Sequence, residues 1–109
     1  MNSGHLADAA ADAMQAMPIR ASILDLAKEA ITVDRHNTHG SAEENFWRVA
    51  AIWSAHLNTP VTATDVASMM CMFKLARIKA NAGHLDNWTD LIGYAALGAE
   101  IAANAEGGV

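Results

Sequence analysis

This 109-residue chain has little cysteine, proline, aromatic content or positive charge, and each shortage excludes something. A single thiol, Cys71, cannot close an intrachain disulfide. Inside the run MMCMF at 69–73 it reads as a buried small hydrophobe, in keeping with a reducing cytoplasm. Seven Lys and Arg against twelve Asp and Glu give a net charge of −5, which argues against a general nucleic-acid binder. No apolar run reaches the ~20 residues of a membrane span, because Asp65 and Lys74 bracket the longest candidate. The start, MNSGHLADAAADAMQAM, lacks the basic residues and continuous apolar stretch of a signal peptide, so a soluble cytoplasmic protein is expected. There is no HExxH, no paired Cys/His set and no glycine-rich phosphate loop, which disfavours zinc hydrolysis and P-loop chemistry.

What is present is 52% apolar residues, dominated by the small and unbranched types that favour closely packed helices. Pro18 and Pro60 divide the pattern. Residues 1–18 form an extension or a short helix over 3–16. Residues 19–104 form one all-α domain, and 105–109 a frayed tail. From Arg20, Ile23, Leu24, Ala27, Ala30 and Ile31 recur at helical spacing, predicting a helix that ends near Val33. A polar loop, 33–41, precedes Ser41, which starts a capping box with Glu44. The helix that follows runs to about Leu57 and is expected to bury Phe46, Val49, Ala50, Ile52 or Trp53, and Leu57. Thr62 or Thr64 caps a third helix that is apolar nearly all round from Val66 to Phe73, so part of its cover is expected from a second copy. Asn81 and Gly83 stop it, and a last helix spans about Leu85 to Asn104. There Gly93, Ala95, Ala96, Gly98 and Ala99 permit close backbone approach.

Residues 65–100 carry the chemistry. On the two helices of this hairpin, Lys74 and Arg77 sit three residues apart and Asp86 and Asp90 four apart, so each pair shares a face. An antiparallel turn near 81–83 sets Arg77 opposite Asp86 or Asn87 and Lys74 opposite Asp90, with Tyr94 one turn further along. Two readings stay open. One is an interhelical salt-bridge lock. In the other, Asp86 and Asp90 hold a divalent metal such as Mg²⁺, with Glu43, Glu44 or Asp65 as a further acidic ligand, while Lys74 or Arg77 meets phosphate. The loop adds Asp34, Arg35 and His39 as binding candidates. Trp53 and Trp88 are the tryptophans placed to stack on a base; core packing is the competing role.

The order VDRHNTHGSAEENFWRVAAIWSAHL, VTATDVASMMCMFKLARIKAN, HLDNWTDLIGYAALGAEI resembles a small phage- and prophage-associated all-α domain of unknown function, over about residues 22–102. That pattern has a GDR-x-x-x-YG-like loop, an ENF…LWSAYL helix, a TP-x-DVA-x-MM…K-x-AR helix and a D-x-x-x-D…GYA helix. Val33 here replaces the loop glycine and His39 the tyrosine. More distantly, DNWTDLIGYAAL is similar to the last acidic helix of MazG-type nucleoside triphosphate pyrophosphohydrolases, whose E-x-x-E and E-x-x-D pairs hold Mg²⁺. Asn87 stands where the second motif has glutamate, and the first motif is absent.

Together these readings predict a compact bundle of four main helices, MazG-like and homo-oligomeric as a dimer or tetramer. The functional expectation is a phage-type nucleotide-handling protein, either a Mg²⁺-dependent pyrophosphohydrolase or a non-catalytic nucleotide-binding module. A structural oligomer without a ligand is the other alternative. Asp86, Asp90 and Glu44 are the expected metal ligands. Lys74, Arg77, Arg35, His39, Tyr94 and Trp53 are the expected substrate contacts, and the cofactor is Mg²⁺ or none.

Overall fold

The computed structural model describes residues 18–34 and 41–105. The short N-terminal helix expected over 3–16 lies outside them, as do Arg35, His36, His39 and the last four residues. The described residues form an all-α bundle, with α1 Ile19–Glu29, α2 Ala42–Leu57, α3 Ala63–Ala80 and α4 Leu85–Ala105. The first helical segment ends close to Val33, as its periodicity predicts, but only its part up to Glu29 is α-helical. After Glu29 the chain widens into a π-helical turn, Ala30–Asp34, where the Thr32 hydroxyl donates to the Lys28 carbonyl at 2.7 Å. A side chain competing for that carbonyl is a common way for a regular helix to lose its ladder.

The remaining boundaries follow their caps. The Ser41 hydroxyl accepts from the Glu44 amide at 3.1 Å, which is half of the expected capping box; no return bond from the Glu44 carboxylate is formed. The complete box is at α3, where the Thr62 hydroxyl accepts from the Asp65 amide at 3.0 Å and the Asp65 carboxylate accepts from the Thr62 amide at 2.9 Å. Both bonds favour the ionised carboxylate, so the Asp65 pKa lies below the usual range. Between α2 and α3, Asn58 adopts a left-handed conformation at φ 52°. The Ser54 hydroxyl then accepts from the Val61 amide at 2.8 Å and donates to its carbonyl at 3.1 Å, tying the Pro60 turn to α2. The α3–α4 turn uses Asn81, whose side chain accepts from the Gly83 amide at 3.2 Å. It also uses the Trp88 indole, which donates to the Ala82 carbonyl at 2.9 Å.

Helices α3 and α4 pack against each other along most of their length, while α1 lies on α4 and α2 on α3. The core is Phe46, Ala50, Ala63, Val66, Ala67, Leu97 and Ile101, with Val49, Trp53, Met70 and Tyr94 packed on it. Of the alternatives Ile52 and Trp53, Trp53 packs on the core and Ile52 is exposed, because α2 turns Phe46 and Ala50 inward; Leu57 is exposed, contrary to expectation. Met72 and Phe73 are also half-exposed. Alanine at three of the seven core positions brings the helix backbones close. A Cβ at Gly98 would lie 2.8 Å from the Ala67 Cβ, and one at Gly93 would lie 3.2 Å from Ile31 Cγ2. Glycine is required at Gly98 because its neighbour is a Cβ that cannot swing away.

Gly98→Ala is therefore expected to lower stability by ~1–3 kcal/mol in urea unfolding, despite alanine's better helix propensity. Adding Ala67→Gly should recover part of the loss. The Thr62–Asp65 box contributes its stability above the usual carboxylate range and loses it as pH falls through the lowered pKa. Thr62→Ala should lower the melting temperature at neutral pH and leave the acid limb of the Tm–pH curve shallower.

Candidate functional site

Along α4, Asp86, Thr89, Asp90, Gly93 and Leu97 recur at helical spacing and meet α1. Two adjoining depressions follow this seam. The inner one, about 130 Å³, is lined by residues that include Ala27, Ile31, Asp90, Gly93 and Tyr94. The outer one, about 400 Å³ and open to solvent, is lined by Leu26, Glu29, Ala30, Asp86, Thr89 and Asp90. Three carboxylates thus face one groove. The sequence places Asp86 and Asp90 together on one helix face but gives no sign that Glu29 belongs with them. Only the docking of α1 on α4 brings it to the site.

One charge is neutralised from behind. Lys74 Nζ lies 2.9 Å from Asp90 Oδ2, the expected cross-hairpin pair. The Lys74 side chain is 13% exposed and the Asp90 side chain 46%, so the ammonium is sheltered and the carboxylate still reaches the groove. The companion pair does not form. Arg77 Cζ sits 4.7 Å from the centre of the Phe73 ring, one turn back on its own helix, and not on Asp86. A guanidinium on an exposed ring gains ~0.5–1 kcal/mol without fixing two flexible side chains across a turn. Asp86 and Glu29 are consequently without an ion-pair partner among the described residues.

The other predicted residues scatter. Tyr94 lines the inner depression, its ring stacked on Phe46 with centroids 6.1 Å apart. Trp53 packs on the core, and Trp88 is held at the hairpin turn. Glu44 is in the first turn of α2, whose start borders Leu97 and Ile101. Seven residues of helix separate Asp90 from Leu97, ~10 Å of rise, so Glu44 does not join the aspartates. Among the described residues, no three of His, Cys, Asp and Glu are grouped as a metal would require. Asn87, in the motif position where glutamate would be needed, is buried at 7% exposure, and its carboxamide has no hydrogen-bond partner among the described residues. Cys71 Sγ lies 3.9 Å from the Leu91 carbonyl, and burial pushes its thiol pKa up, away from reactivity.

Residues 22–102 match the family model of the domain of unknown function DUF6378. The chain is 38% identical over 74 residues to the Gene 55 protein of Mycobacterium phage D29, covering 68% of this chain and 49% of that protein. It is 40% identical over 77 residues to the Gene 55 protein of Mycobacterium phage L5, covering 70% and 49%. The matched part is about half the length of each relative. No solved structure matches the chain.

A double-mutant cycle separates a lock from a site contact at Lys74. Asp90→Asn alone should cost more stability than Lys74→Met, since it strands the sheltered ammonium, whereas Lys74→Met leaves a half-exposed carboxylate that water can solvate. The pair's coupling should be about 1 kcal/mol, the upper end for partly exposed ion pairs.

Proposed function

The chain belongs to the DUF6378 family, and on that premise we propose that it is a phage-type nucleotide-handling protein that binds a Mg²⁺–nucleotide in the groove between α1 and α4. The observation that carries the reading is the pair of unpartnered carboxylates, Asp86 and Glu29, flanking an open groove with Asp90. Three carboxylates against one ammonium leave the groove negative, so a bare phosphate is repelled and a cation is drawn in. Mg²⁺ keeps several waters and is commonly held by one or two carboxylates together with substrate phosphates. Asp86 and Glu29 suit that role. A dedicated protein cage would need a third ligand, and Asp90 is already engaged by Lys74.

Phosphate contacts are assigned to Arg35 and His39. Ile31, Thr32 and Ser41, at the two ends of their loop, line one further depression with Leu97 and Ile101. This keeps the loop's ends near the groove, since Ile31 and Leu97 also line the inner depression. Tyr94, on the wall of that depression, offers a ring for a base. Binding without turnover is the reading favoured here. MazG-type descent and pyrophosphohydrolysis form the second, carried by the Asp86/Asp90 spacing on a helix that resembles the catalytic one.

Isothermal titration calorimetry with nucleoside triphosphates should show binding that depends on Mg²⁺ and weakens at least tenfold in Asp86→Asn. Pyrophosphate release assayed on the same panel separates the two readings. Turnover selects hydrolysis, and binding without release selects sequestration. If no nucleotide binds with or without Mg²⁺, the proposal fails.

A further inference from the structure

Helix α4 carries Asp86 and Asp90 on the side that meets α1, while a second arc of its surface has no charged residue. Asp86 and Asp90 line the α1 groove. The outward arc contains Leu85, Trp88, Ile92, Ala95, Ala99 and Ala102, without one charged or hydrogen-bonding side chain apart from the Trp88 indole. Leu85 is 46% exposed and Trp88 38%; Ala95 and Ala99 are also exposed. The other exposed apolar residues lack this property. On α2, Trp47 and Ile52 are interleaved with Glu44 and Arg48, and on α3, Met72 and Leu75 lie among Arg77 and Lys79.

The spacing of the six residues is three, four, three, four, three, the heptad step that keeps a seam facing a partner helix. Size is graded along it, with the three bulky residues in the N-terminal half and the three alanines in the C-terminal half. Beside the alanines runs an apolar groove of about 290 Å³ between α3 and α4, lined by residues that include Ala95, Gly98 and Ala99. Trp88 is prepared as an anchor, because its Nε1–H is already bonded to the Ala82 carbonyl and only ring surface remains to be covered.

We propose that this face of α4 is the interface with a second copy of the chain, the two α4 helices packing antiparallel about a two-fold axis near residues 93 and 94. In that register Trp88 meets Ala99 of the partner subunit and Ile92 meets Ala95 of the partner subunit. Leu85 and Ala102 face each other in the same way. Large meets small at every step, so the helices keep an even separation and Trp88 enters the apolar groove beside the alanines. A parallel pairing sets Trp88 on Trp88 and alanine on alanine, which splays one end and opens the other. Lack of charge on the arc means that no like charges are set against each other there, so only the salt-screened net −5 of each chain opposes contact. A two-fold interface requires one surface to be complementary to itself, and this graded seam is. The face differs from the α3 surface for which the sequence suggested cover, and it leaves the α1–α4 groove open.

Light scattering on the eluting full-length protein tests the interface. The expected mass is twice that of the single chain, falling to that of one chain in Ala99→Glu with an unchanged helical circular dichroism spectrum. Ala95→Lys serves as the second such variant. Geometry is tested with Cys71→Ser protein carrying either Leu85→Cys or Ala102→Cys. Under oxidation the mixture should form the 85–102 disulfide dimer, while neither variant alone should cross-link to itself. A monomeric wild type overturns the proposal, as does a dimer unaffected by either charged substitution. Self-linking of one variant, or no linking in the mixture, overturns the antiparallel register.

Discussion

The approach of α3 to α4 at Ala67 and Gly98 sets the positions of the other elements. With a Cβ on one side and none on the other, the two backbones come nearer than two facing Cβ atoms would allow. That spacing lets the Lys74 stem cross to Asp90 with its ammonium sheltered. It also brings the Cys71 thiol to the Leu91 carbonyl. A bulkier contact at Gly98 would part the helices where Val66, Ala67, Leu97 and Ile101 close the core. The turn at 81–84 is short because the helices it joins are already close, and the Trp88 indole stitches it to α4.

From that hairpin follows the unusual polarity of α4. Facing α3 with its glycine side and α1 with its aspartates, the helix has a further arc, from Leu85 through Trp88 and Ala95 to Ala99, that is exposed and uncharged. Charge directed at a neighbouring helix is tolerable here because Asp90 has its ammonium and because the seam with α1 stays open to water. The same arrangement makes the groove acidic and the opposite face uncharged. The nucleotide reading uses the first property and the self-association reading the second. They occupy opposite sides of one helix, so one can hold without the other.

Helix boundaries and the Lys74–Asp90 pair were legible in the sequence because they depend on local quantities. Spacing of three and four defines a helix face, Thr62 and Asp65 reveal a cap, and the position of the 81–83 turn sets which residues of an antiparallel pair stand opposite. Asp90 then has one cation at the right height. The end of α1 was less legible, since the Thr32 bond to Lys28 replaces a regular turn without changing the apolar spacing.

The sequence by itself determined an all-α chain, its turns and the helix that carries the acidic residues. It also established the family, since the ordered motifs over 22–102 need no structure to be matched. Tertiary structure alone decided that Glu29 joins Asp86 and Asp90, that Arg77 rests on Phe73 while Asp86 stays unpaired, and that the uncharged arc of α4 faces outward. The division has a physical cause. Periodicity specifies which residues share a face, but the neighbour each face meets depends on how closely two helices can pack. In this protein that distance is governed by the side chains absent at Gly93 and Gly98.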